Sequence, residues 1–318
     1  MTAAVALAIL AALVTPYVWP KRLLSPVGGI TLWLSELALR ALLVVVLVIV
    51  GALYMPATAL FQLVSQWCFH AVVPFFAVHF GFSGHALGDA ALFVPAIVLS
   101  LSALYGLYGT WRAARRVAAW ARRSGLGIGP KRSVVVSDPE ILVAATGMRR
   151  PQVVVSTGAL TKLDEQELEA GLEHEWGHIH RGHRYLALAG QAFFTLARLM
   201  PGSRRAFNEL HFFLERDADE YAVRTTGDPL ALASAICKSA LVPMPPPSPA
   251  FSSLSGNAGA ARLEPLLDQE RKPGLLAHSS SLVFGLFPAA MASLILAFLP
   301  AIAAAGITQA STGVVPSC

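Results

Sequence analysis

Residues 164–183 read DEQELEAGLEHEWGHIHRGH, and the rest of the chain is organised around them. Asp164 followed three residues later by Glu167 is the pattern of a capping box, so a helix is expected to open there. At about 100° per residue, Leu168, Leu172, Trp176 and Ile179 fall on one apolar arc. Glu169, Glu173, His180 and Arg181 fall on a polar arc. His174 and His178 lie between the arcs, one turn apart, with Glu175 beside them. Imidazoles at i and i+4 can share one Zn²⁺, and a glutamate between them can take a proton from water at the ion's open position. A chance HExxH on an amphipathic helix is the competing reading, so a third ligand has to be found.

Downstream, LHFFLERDADEYAVR is a second helical pattern with Phe213, Ala218, Tyr221 and Ala222 at apolar positions. Glu215 and Asp219 are four apart and share a face. Glu215 is the candidate third metal ligand. Asp219 is the candidate outer carboxylate, accepting the second N–H of a metal-bound histidine. Asp217 and Glu220 are read as ordinary solvent-facing acids. His183 and His211 are kept as cleft candidates, below the reading that each simply packs. His180 lies too far around the helix from His178 to share its metal.

HEWGH followed by ERDAD resembles the HExxH…ExxxD pattern of integral membrane Glu-zincin metallopeptidases. Two groups share it, the HtpX and CAAX-protease group and the BlaR/MecR group of antibiotic-response proteases. The resemblance covers roughly residues 130–275. It implies a zincin-like protease domain with one zinc ion, held by His174, His178 and Glu215, and Glu175 as general base. It also implies peptide-bond hydrolysis in a protein or peptide substrate, and an edge strand beside the site helix that holds the substrate extended. Val153, Val154, Val155 and Ser156 are the expected substrate strand, with a plain core strand as the equal alternative.

Of the 318 residues, 55% are hydrophobic and 14% charged, which is too apolar for a soluble globular chain. The net charge of +5 reads as basic residues flanking membrane spans. No aromatic-interleaved basic groove accompanies it, and direct nucleic-acid binding is not expected. Spans are expected at about 2–19, 33–54, 90–110 and 282–305, each long enough for a hydrocarbon core of about 30 Å. Residues 57–80 are read as interfacial or re-entrant, because Lys21, Arg22 and the basic run 112–132 then share one face of the membrane. Strands are expected at 133–137 and 152–158, and a Pro/Ser-rich connector at 243–259.

The expected architecture is therefore a mainly α membrane protein of about four transmembrane helices. It has a membrane domain at 1–110, a helix-rich cytoplasmic protease domain with a small β-sheet at 111–278, and a last span and external tail at 279–318. The chain would sit in the cytoplasmic membrane with its active site facing the cytoplasm. Three spans before the zinc site and one after is the BlaR/MecR layout, which implies a transcriptional repressor or the chain itself as the cleaved substrate. Only 13 residues follow the last expected span, and the external sensor domain of those receptors is not among them. An HtpX/CAAX-like quality-control or processing protease is the alternative, and a non-enzymatic zinc-containing sensor the more distant one. The three cysteines form no CxxC pair and suggest no thiol chemistry.

Overall fold

The computed structural model describes residues 24–54, 84–240, 252–253, 262–263 and 286–295, with isolated positions among 10–17 and at 266 and 297. Most of the expected span 2–19, the segment 57–80, the external tail and most of the connector fall outside the described residues.

Two long helices come first. Helix α1 (Pro26–Tyr54) is apolar almost throughout, and its stretch Pro26–Val50 is long and apolar enough to cross a membrane. Helix α2 (Gly84–Arg123) contains the expected span 90–110. Its Val94, Ile97, Val98, Leu101 and Leu104 are exposed, an apolar face that water would not favour. Tyr105, Tyr108 and Trp111 follow, then Arg112, Arg115 and Arg116, with the Arg115 guanidinium over the Trp111 ring. Aromatic residues thus give way to basic ones along α2. Helix α1 alone among the described residues meets the full length and apolarity requirement, so the expected count of four spans is not reached here.

A five-stranded sheet follows, ordered β1 (Gly125–Ile128), β2 (Val134–Val136), β4 (Gln152–Ser156), β3 (Val143–Thr146), β5 (Ser252–Ser253). Strands β2 and β4 pair in parallel and the other neighbours antiparallel. Strands β2 and β4 answer to the valine runs expected at 133–137 and 152–158. Strand β3 was not expected, since ILVAAT offers two alanines where β-branched residues would have marked a strand. The expectation that Val153 to Ser156 hold substrate is corrected here. Strand β4 is bonded to β2 on one side and β3 on the other, its side chains from Val153 to Ser156 are buried, and it has no free edge.

Helices α3 (Thr157–Lys162), α4 (Glu165–His180), α5 (His183–Ala197), α6 (Ser203–Thr226) and α7 (Pro229–Ala240) complete the body, and α8 (Leu286–Ile295) lies within the expected last span. One apolar core joins the sheet to α4 and α7 through Val153, Val155, Leu172, Leu232 and Ile236. A second joins α1 to α5 and α6 through Leu32, Trp33, Leu37, Leu210 and Phe213. Helix α1 approaches α6 so closely that a Cβ on Gly29 would lie 2.2 Å from the Phe213 ring. Helix α6 therefore belongs to both cores, and it carries Glu215.

Candidate metal centre

Helix α4 is fixed at its start and along its apolar side. Asp164 accepts from the Glu167 backbone N–H at 2.8 Å, and Glu167 accepts in return from the Asp164 N–H at 2.9 Å. Leu172 is buried, with Leu168, Trp176 and Ile179 packed around the same core. This orientation sinks His174 and Glu175 completely, at 0% exposure, and leaves His178 at 5%. Helix α6 crosses α4 at Gly177, where a Cβ would meet Tyr221 at 3.1 Å. That approach brings Glu215 and Asp219 over the two imidazoles.

The structure brings His174, His178 and Glu215 together, with one ligand atom from each lying within 4.8 Å of the others. The two Nε2 atoms are 3.2 Å apart, and Glu215 oxygens lie 3.4 Å from His174 Nε2 and 3.5 Å from His178 Nε2. Bonds of about 2.0–2.2 Å to a tetrahedral zinc place its ligands about 3.3–3.5 Å apart. The residues fit the ion. No fourth His, Cys, Asp or Glu joins the group among the described residues.

Each imidazole is held from behind. His174 Nδ1 lies 2.8 Å from Asp219. Arg262 grips Asp219 through Nε at 2.9 Å and Glu215 through Nη1 at 3.0 Å, and it is 1% exposed. His178 Nδ1 lies 2.8 Å from His183 Nδ1, and His183 Nε2 lies 3.0 Å from Asp217. Asp217 is therefore corrected from a solvent-facing acid to a buried one, at 3% exposure, also accepting from Arg181 at 3.1 Å. Sequence reasoning missed Arg262 altogether. It is a lone basic residue beyond the Pro-rich connector, and spacing alone does not link it to the two helices.

The electrostatics follow from burial against these partners. Burial works to lower the His174 pKa, but its bonds to Asp219 and Glu215 prevail and raise it to about 9. Burial dominates at His178 and pushes it well below the ordinary value. Burial would raise the carboxylates of Glu215 and Asp219, yet Arg262 above all, with the histidines, holds both below the usual range. Glu175 goes the other way, raised to about 8 by burial and by Glu215 against the pull of His174, the Ala145 N–H and Arg262.

Glu175 Oε2 accepts the backbone N–H of Ala145 on β3 at 2.7 Å, while Oε1 is buried with no partner among the described residues. A cavity of about 90 Å³ opens beside the centre, lined by Ala145, Thr146, Gly147 and Met148 from the β3 side and by His178, His183, His211 and Glu215. Thr110 and Ala114 of α2 form another wall, at the level where the aromatic residues of that helix give way to arginines. His211 thus lies in the cleft, with a buried Nε2 that has no partner among the described residues. His180 bonds Tyr221 on the outer side of α4.

Residues 111–216 match the sequence profile of Peptidase family M48. A stretch of 106 residues is 37% identical to a "Protease HtpX homolog" of Desulfotalea psychrophila. The similarity covers 32% of this chain and 36% of the relative, so it spans about a third of either protein. Both matches describe proteases. The named relative falls on the HtpX side of the two resembling groups, and the BlaR/MecR side gains no support from it.

Proposed function

We propose that this chain is a membrane-bound zinc metalloendopeptidase of the HtpX kind. The observation that carries the reading is the zinc-sized triangle of His174, His178 and Glu215 beside a buried, half-satisfied Glu175. A zinc ion bound there supplies Lewis acidity, acidifying water and polarising a peptide carbonyl. His174, His178 and Glu215 hold it, and Asp219 with Arg262 orients His174 and Glu215. Glu175 is the base. The Ala145 N–H anchors Oε2, so Oε1 is the oxygen free to take a proton from water and return it to the leaving amine.

Strand β3 is paired on both edges, so its part is to wall the cleft through Ala145 and Thr146, and Gly147 and Met148 just beyond it are assigned as the segment that meets substrate. His211 is assigned as a donor to the substrate carbonyl from the opposite wall. Thr110 and Ala114 line the cleft where α2 turns from aromatic to basic residues, which supports substrates that are protein segments close to the membrane surface. The bilayer is the lasting partner of α1 and α2.

The test is hydrolysis of a loosely folded protein such as casein by the purified full chain in detergent, with zinc measured by mass spectrometry. Glu175→Gln should retain zinc and lose about 10²–10⁴-fold in rate. Zinc-loaded Glu175→Gln cleaving at the parental rate would overturn the assignment.

A further inference from the structure

On an uninterrupted helix, His183 would stand about 140° around the axis from His178 and ~7.5 Å farther along it, out of reach. The chain does not continue as one helix. Gly182 takes a left-handed conformation with φ +68°, and Tyr185 N–H closes the turn onto the Gly182 carbonyl at 2.9 Å. A residue with a Cβ resists that conformation. The turn begins α5 at His183 and folds its imidazole back beneath α4. There Nδ1 meets His178 Nδ1 at 2.8 Å, and Nε2 meets Asp217 at 3.0 Å. Arg181, the residue before the turn, holds the other oxygen of Asp217. His183 and Asp217 are 3% exposed, so water does not substitute for these contacts.

We propose that His183, held by Asp217 and Arg181, is a positioning residue that sets the tautomer and ring rotation of His178. The proposal rests on the zinc reading above. Two facing Nδ1 atoms at hydrogen-bond distance share one proton, and the arrangement leaves one consistent placement. His178 turns Nε2 toward His174 and Glu215, where a metal needs a lone pair, so its proton sits on Nδ1. His178 Nδ1–H then donates to His183 Nδ1, and His183 Nε2–H donates to Asp217, which as a carboxylate only accepts. His174 is anchored to a carboxylate directly, whereas His178 is anchored to one through an intervening imidazole. His183 is not a further ligand, because it faces the nitrogen of His178 that points away from Glu215.

His183 has a second job that a test must separate from the first. It lines the cleft and also a cavity of about 520 Å³ between α1 and α5, so its ring divides the two spaces. The variants compared are therefore His183→Leu, which fills the partition without hydrogen bonds, and His183→Gln, which accepts from His178 and donates to Asp217. Asp217→Ala removes the outer end of the chain and leaves both rings in place.

The measurement is zinc affinity of the full chain in detergent, by competition with a chromophoric chelator, with the visible spectrum of the cobalt-substituted protein as a report on ligand geometry. His183→Leu should bind zinc about 10–100-fold more weakly and with an altered cobalt spectrum. Asp217→Ala should move in the same direction, and His183→Gln should recover most of the affinity and the parental spectrum. Parental affinity in both His183→Leu and Asp217→Ala overturns the proposal. Equal loss in His183→Leu and His183→Gln overturns it too, since the ring would then act through its packing. Failure of the parent chain itself to bind zinc would instead sink the metal-site reading.

Discussion

Arg262 holds one guanidinium against two carboxylates with different tasks, one proposed to bind metal and one to orient a histidine. In a site this buried, the two acids need a counter-charge before any metal arrives. Replacing Arg262 by Met should cost the metal-free protein about 3–5 kcal/mol, the usual result of stranding a buried charge. Zinc would partly replace the missing charge at Glu215. Thermal melts with and without EDTA should therefore show a larger zinc-induced gain in Tm for Arg262→Met than for the parent. An equal gain would mean that Arg262 does not act on the ligand set. The contrast with its neighbours shows what a sequence carries at this scale. His174, Glu175 and His178 are legible because one helix fixes their spacing, and Glu215 with Asp219 because a second helix does. Arg262, Asp217 and the reach of His183 depend on how separate segments meet, and no periodicity records that.

Strand β3 is the element whose place matters most and whose sequence says least. It lies between β4 and β5 and delivers one backbone N–H, from Ala145, to Glu175. The valine-rich β4 has the stronger strand signal because it is buried on all sides, and that same burial removes it from the cleft. A strand that faces a site can afford small residues, and small residues hide it from pattern reading. The Ala145 bond favours the charged form of Glu175, so it pulls the pKa down against burial. Ala145→Pro removes that donor, and the Glu175 pKa should rise further. A base works only when deprotonated, so the acidic limb of kcat/KM against pH should shift to higher pH than in the parent. Zinc content serves as the check on folding, and an unmoved limb in a zinc-replete variant would detach β3 from the base.

At the scale of the whole molecule, the candidate metal centre and the candidate span α1 are joined through α6. Helix α1 reads from sequence as a plain span, yet it buries Glu36 and Arg40 at 0% and 4% exposure, paired at 2.7 Å. Arg40 also donates to the Pro201 carbonyl and to the Tyr17 hydroxyl, and Tyr17 donates to the Gly202 carbonyl at 3.0 Å. Pro201 and Gly202 form the turn into α6, the helix that carries Glu215 farther along. Ionisable groups in a span are costly, so a pair that grips the start of a site helix has a use. Arg40→Ala strands Glu36 and frees the turn, and should destabilise the chain in detergent by about 3–5 kcal/mol. The double variant Glu36→Leu with Arg40→Met replaces the pair by apolar groups of similar size, and should keep near-parental thermal stability. It would still leave the Pro201 carbonyl without its guanidinium. If α1 positions α6 through that contact, the double variant should bind zinc more weakly than the parent at equal Tm, and undiminished zinc affinity there would show that the two helices are joined by apolar packing alone.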